Sequence, residues 1–291
     1  MKRKENGDKP MKSKQQLKKT GNILFYGIVT LLSIIALACL IVIIGYVMIK
    51  GISHISWEFL TQEPKMMGKE GGIFSIIIGT IYVTGLAILI SAPIGIAAAI
   101  YFNEYAKEGR VISIIRMFTE ILAGIPSIVF GLFGFSFFVV FLGMGWSVLS
   151  GALSLSLMIL PTLIRSTEES LKTVPMTYRE GSLSLGATKW KTTVKVVLPC
   201  CSKGILSGMI LGIGRAIGET AVILLTVGGA LKLPMSIFDS TRTMAVHMYI
   251  MASEGISESK AYATAALLII IVLVINAIAN IVTSRMGGIS R

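Results

Sequence analysis

Two charged side chains stand where charge is costly. In the apolar stretch 204–231, Arg215 and Glu219 lie four residues apart, so on a helix a guanidinium and a carboxylate share one face. Counting from Lys203 at about 1.5 Å per residue, Arg215 is roughly 18 Å along the helix, near the middle of a hydrocarbon layer about 30 Å thick. A charge facing lipid at that depth costs at least ~2.5–3.5 kcal/mol, so Arg215 must face protein or water and have a partner. Glu219 is the nearest candidate in sequence, and Thr220 adjoins it. Two readings stay open. Either the pair neutralises itself and locks a helix bundle, or Arg215 offers its forked donors to an oxyanion in passage, with Glu219 holding the guanidinium and keeping the anion from binding too tightly to leave.

Nothing in the chain points to making or breaking covalent bonds. No glycine begins the phosphate-loop pattern G-x-x-x-x-G-K-[ST], so any ATP and Mg must be used by a separate subunit, and no cofactor is expected on this chain. Gly212-Ile213-Gly214 begins like a dinucleotide fingerprint, but the third glycine comes one residue late and no strand precedes it. The only histidines are His54 and His247, too few for a metal site or for a Ser, His and Asp arrangement, and no H-E-x-x-H pattern occurs.

A second stretch reads as a docking device. Residues 178–199, YREGSLSLGATKWKTTVKVVLP, carry charge on both sides of a central glycine. Two short helices joined by a turn fit this pattern. Gly186 takes the left-handed conformation that closes the first, Thr188 caps the second, and Pro199 stops it. In the second helix Trp190, Val194 and Val197 fall at i, i+4 and i+7 and form an apolar face, with Lys191 and Lys195 on another.

The elements that must position these residues follow from composition. The chain has 291 residues, 54% hydrophobic and 14% charged, with a mean hydropathy of +0.79. That excludes an ordinary soluble domain and implies an all-α membrane protein. At about 20 apolar residues per crossing, six transmembrane helices are expected at 23–49, 73–102, 114–142, 146–165, 204–230 and 262–283. A cytoplasmic coupling-helix loop, 166–203, lies between spans 4 and 5. Residues 1–22 form a flexible basic tail, 23–284 the six-span domain and 285–291 a C-terminus. The first apolar run is too long for a signal-peptide core and is expected to be retained. Most of the 27 Lys and Arg fall at one side if both termini are cytoplasmic, so the net charge of +12 belongs to that face, where anionic lipid and not nucleic acid is the fitting partner. Cys39, Cys200 and Cys201 form no disulfide framework.

Within the spans, Pro93 and Gly95 suggest a kink and a close approach, and Pro126 with its neighbouring glycines a locally broken helix. Arg116 and Glu120 are expected to pair on one face of span 3. Gly204, Gly208 and Gly212, with Gly214 and Gly218, make one side of span 5 almost bare backbone for tight packing. Asn276 and Asn280 are expected to turn inward from span 6.

The spacing Glu180, Gly181, Ser182, three residues, Gly186, nine residues, then Val196, Leu198 and Pro199 resembles the EAA loop of ABC importer permeases, with Gly181 and Ser182 for its alanines and Val196 for its isoleucine. AGIPSIVFGLFG at 123–134, LPTLIRSTEESLKTVP at 160–175 and GIGRAIGET at 212–220 resemble a narrower group, the phosphate-specific permeases of the PstA type, and the likeness runs over about 21–286. The resemblance implies a non-enzymatic subunit of a bacterial cytoplasmic membrane that imports inorganic phosphate. Its implied partners are a related second permease, two ATPase subunits gripping the EAA loop, and an external phosphate-binding protein. It also places Arg215 and Glu219 in the transport path. The partner permease of the same complex, a permease for molybdate or sulfate, or an ATP-independent anion channel are the alternatives.

Overall fold

The computed structural model describes residues 9–107 and 109–286; the expected tail residues 1–8 and C-terminal residues 287–291 lie outside the described residues. Two units are distinguished, Met1–Ile49 and Lys50–Arg291. Helix α1, Lys9–Ile52, which begins in the first and ends just inside the second, already runs through residues 9–22, where a flexible tail was expected. Lys, Gln and Leu are good helix formers, and that segment continues the apolar helix in one piece. Its part Phe25–Ile52 is long and apolar enough to cross a membrane.

The second unit opens with α2, Trp57–Thr61, capped by Ser56, whose Oγ accepts from the Phe59 amide at 3.1 Å. Trp57 is exposed and Phe59 buried. A hairpin follows, β1 (Pro64–Lys65) antiparallel to β2 (Glu70–Gly71). Then come α3, Phe74–Ile100; α4, Arg110–Gly124; α5, Ser127–Gly134; α6, Val148–Lys172; α7, Met176–Ser184; α8, Lys189–Thr192; α9, Leu198–Ile217; α10, Ala221–Thr226; α11, Met244–Ser253; and α12, Glu258–Met286. With no water to satisfy backbone groups, helices are the form such apolar runs must take in lipid. Among the described residues five helices are long and apolar enough to cross, or six with one bent pair counted as a span.

That pair occupies the expected span 114–142, and the local break suggested at Pro126 is there as a sharp bend. Arg110–Gly124 and Ser127–Phe141 meet at 100°. Ile125, held extended ahead of Pro126 (φ −70°, ψ 134°), ends α4, and Pro126 lacks the amide that would continue it. Only Ile112 of α4 is buried. Span 5 differs from the expected 204–230. It starts at Lys189 and stops at Ile217, and α10 is a separate piece.

The core forms where α3 and α6 meet α9, α10 and α11, around Val83, Leu155, Ile159, Leu163, Ile223 and Met251. Small residues set the approach. A Cβ on Gly95 would lie 3.0 Å from the Leu163 Cβ, and Pro93 is accommodated inside α3. Gly204 faces Ser170, Gly208 faces Ser166 and Gly212 faces Ile159, so one stripe of α9 lies on α6; Gly214 has open space beside it. Asn276 and Asn280 are exposed, contrary to expectation. Helix α12 buries Ala263, Ala266 and Ala279 instead, because close packing selects its smallest side chains.

Candidate functional site

The docking loop is built at one end of the bundle, where α3 and α6 finish and α9 begins. Pro175 leads into α7, and Gly186 closes it at φ +80°, with the Gly186 amide bonded to Leu183 O (2.9 Å) and the Ala187 amide to Ser182 O (3.2 Å). This left-handed closure returns two carbonyls that the helix end would strand. Thr188 then caps α8 through the Lys191 amide (3.3 Å), and Ser182 Oγ and Thr192 Oγ1, 2.9 Å apart, tie the two helices together.

Two expectations for this loop are corrected. Pro199 does not stop the second helix, which runs unbroken from Lys189 to Ile217. Thr193–Val197 is a π-helical turn, with the Leu198 amide reaching back to Thr193 O, and this wider turn gives the pyrrolidine ring room and leaves its missing amide harmless. The same extra residue per turn rotates the apolar face. Thr192, Thr193 and Val197 are buried, whereas Trp190 is 65% exposed and Val194 is exposed too. Leu185, at the turn, is 90% exposed, and Met176, Tyr178 and Leu183 stand open around it. Glu180, Gly181 and Gly186 are on this exposed surface, with Ser182 and Val196 half-buried. Leu198 packs below against Ala99, Leu171, Val174, Val197 and Cys201, and Pro199 is exposed.

Sequence reasoning missed the residue that holds α7 in place. Arg179 donates from Nη2 to Glu104 Oε1 (2.7 Å) and from Nε to both carboxylate oxygens (3.2 Å each). It also donates to Val174 O (2.7 Å) and Leu171 O (3.0 Å) at the end of α6. The two side chains are only 12% and 7% exposed. Glu104 belongs to a π-helical turn, Tyr101–Tyr105, that extends α3. Arg179 precedes the Glu180 of the docking pattern, but nothing in the spacing announces a partner 75 residues away.

A second ion pair is re-partnered. Arg116 does not meet Glu120; its Nε donates to Glu168 Oε1 at 3.2 Å and its Nη2 to Phe102 O at 3.4 Å. The bend at Pro126 lays α4 across α6, so the carboxylate of the neighbouring helix is within reach. Arg165 pairs with Glu169 one turn on (3.1 Å).

The candidate path residues are separated by the break in span 5. Helix α9 ends at Ile217 with Gly218 as its cap, and Glu219 turns its Oε1 to the amides of Ala221 (3.1 Å) and Val222 (3.4 Å), where it caps α10. The expected Arg215–Glu219 pair is therefore absent, because backbone donors claim the carboxylate and the helix that would align the two is interrupted. Arg215 instead donates from Nη1 to Thr162 Oγ1 on α6 at 3.4 Å. Its side chain is exposed, Glu219 and Thr220 are half-buried, and no acid among the described residues pairs with it.

At the opposite end, near the hairpin, the loop 231–243 carries a buried polar group. Arg242 donates from Nε to Gly229 O (3.0 Å), and burial lowers its pKa against an opposing pull from Glu254. His247, fully buried on α11, is pushed down to about 3 by burial first, then by the charges of Arg242 and Lys260. It is neutral at physiological pH. His54 is exposed, with Nδ1 3.0 Å from Lys50 O. Among the described residues no cluster of three metal-ligating side chains occurs.

A bundle of helices long and apolar enough to cross a membrane that holds out a two-helix docking loop, and carries an exposed guanidinium in the last turn of one such helix, has the architecture of a membrane permease. The chain belongs to the family described as Binding-protein-dependent transport system inner membrane component, whose match covers residues 91–288. It is 33% identical to the probable ABC transporter permease protein YqgI of Bacillus subtilis, over 86% of this chain and 90% of that protein. It is 32% identical to the phosphate transport system permease protein PstA of Haemophilus influenzae, over 91% and 96%. A bacterial alginate ABC transporter, solved with a periplasmic protein holding an alginate pentasaccharide, shares the fold at a TM-score of 0.67 and 16% identity, covering 94% of this chain and 97% of that one. The chain is thus a multi-pass membrane component of an ABC transport system, not an enzyme.

Proposed function

We propose that this chain is one of two related permeases in an ATP-driven importer of inorganic phosphate. The observation that carries the cargo is the likeness to a phosphate transport permease along 91% of the chain. An external binding protein delivers phosphate at the hairpin end, and two copies of a separate ATPase, which uses ATP and Mg, grip the docking loop. The docking end and both termini are cytoplasmic, in keeping with Lys and Arg gathered there. The exposed Trp190, Leu185 and Tyr178 supply an apolar surface for the ATPase, and Glu180 supplies charge at its edge.

Arg215 is the contact for the anion in passage. It has neutral Thr162 as its partner and no competing carboxylate among the described residues, so its forked donors are open to a phosphate oxygen. The test is reconstitution in liposomes of the two permeases, the ATPase and the binding protein, with labelled phosphate outside. ATP-dependent uptake that excess phosphate competes away, and that molybdate and sulfate leave intact, supports the reading. Uptake of another oxyanion in its place, or anion flux without the ATPase, refutes it.

A further inference from the structure

Helix α7 buries none of its own residues, so no apolar packing fixes it against the bundle. Besides the Ser182–Thr192 contact with the second docking helix, what ties it down is the Arg179 fork, which reaches the π-helical end of α3 through Glu104 and the end of α6 and the residues just past it through two carbonyls. The second docking helix needs no such tie, since it continues covalently into α9 as Lys189–Ile217. Helix α3 and its π-helical extension, Phe74–Tyr105, form a rod of 32 residues, about 48 Å at ~1.5 Å per residue. At its far end α3 is bonded to the loop beside the hairpin. Ser75 Oγ donates to Leu231 O (2.7 Å), and Thr80 Oγ1 accepts from the Met244 amide (2.9 Å). This ion pair therefore links α7 to a rod that ends at the opposite face of the membrane, beside the apolar contact that Val197 and Cys201 of the second docking helix make with Ala99.

We infer that the Arg179–Glu104 pair is the joint that passes movement of the docking loop to α3 and on to the loop 231–244. The inference rests on the reading that an ATPase moves this loop. A bidentate, largely desolvated pair is stiff and directional, as a joint under load must be. Arg179 and Glu104 are positioning residues and touch no cargo. Removing the Glu104 charge leaves the carbonyl bonds of Arg179 in place, so α7 stays folded and docked while its direct tie to α3 is lost. ATP hydrolysis and transport then part company.

The test uses the assembled complex in liposomes with Glu104→Gln and Glu104→Ala. The expected result is complex yield and ATP hydrolysis within about twofold of wild type, with phosphate uptake per ATP reduced about tenfold. Arg179→Gln combined with Glu104→Gln is expected to be no worse than the more severe single variant, since the two act as one unit. A second reading does not depend on the cargo. Spin labels at Lys107→Cys and Leu185→Cys, in a background without native cysteines, report the distance between the end of α3 and the docking turn. That distance is expected to hold within about 2 Å on ATP binding in wild type and to change by more in Glu104→Ala. Unchanged uptake per ATP, or a label distance in Glu104→Ala that follows wild type, overturns the joint. If wild-type complex takes up no phosphate, the cargo reading fails and the label distances still decide the joint.

Discussion

At the residue scale the chemistry rests on which groups reach Arg215 and Glu219. Because Glu219 caps α10 and does not neutralise Arg215, removing both charges is not expected to restore function. Arg215→Gln is expected to lower uptake at least about tenfold, ~1.4 kcal/mol of lost anion stabilisation, and adding Glu219→Gln to leave it low. Uptake near wild type in the double variant, with complex at normal levels, would show that the two charges only balance each other. His247 gives a pH prediction. Its folded pKa, about 3, lies below the ordinary 6.5, so below pH 6.5 the unfolded chain binds a proton that the folded chain refuses. Stability is therefore level above 6.5 and falls as pH drops toward 3, by up to about 1.4 kcal/mol per unit. Thermal unfolding in detergent between pH 8 and 5 should show this slope, and His247→Leu should flatten it.

At the element scale, glycine positions that look alike in sequence have different surroundings. A Cβ on Gly208 would run into Ser166, whereas one on Gly214 would meet open space. Gly208→Leu is expected to cost about 1–3 kcal/mol through overpacking, and Gly214→Ala to leave the unfolding midpoint of the purified chain unchanged or slightly raised. A midpoint for Gly208→Leu equal to wild type would mean that α9 is not held against α6 by this stripe. The π-helical turns belong to this scale too. They end α3 with Glu104 turned to Arg179, and they let the helix pass through Pro199.

For the whole molecule, the proposed orientation makes Leu185 accessible only from the cytoplasm and Ile237 only from outside. Single cysteines at these positions, in a background lacking Cys39, Cys200 and Cys201, should react with an impermeant maleimide from opposite sides of intact cells and inverted vesicles. Labelling of both from one side would contradict the topology. Much of this architecture was legible in advance, because membrane crossing, a docking turn at Gly186 and a cap at Thr188 depend on local composition and on backbone conformations that specific residues favour. The glycine stripe was legible for the same reason, since regular helical spacing sets which residues share a face. Partners across the bundle were not. Arg116 with Glu168, Arg179 with Glu104 and Arg215 with Thr162 join residues 52, 75 and 53 positions apart. Spacing along one helix suggested Glu120 and Glu219, but the bend at Pro126 brings α4 to Glu168 of α6, and the helix ends at Gly218, between Arg215 and Glu219. An ion pair goes to whichever group the packed helices bring within reach, and that depends on how they cross, which no single helix encodes.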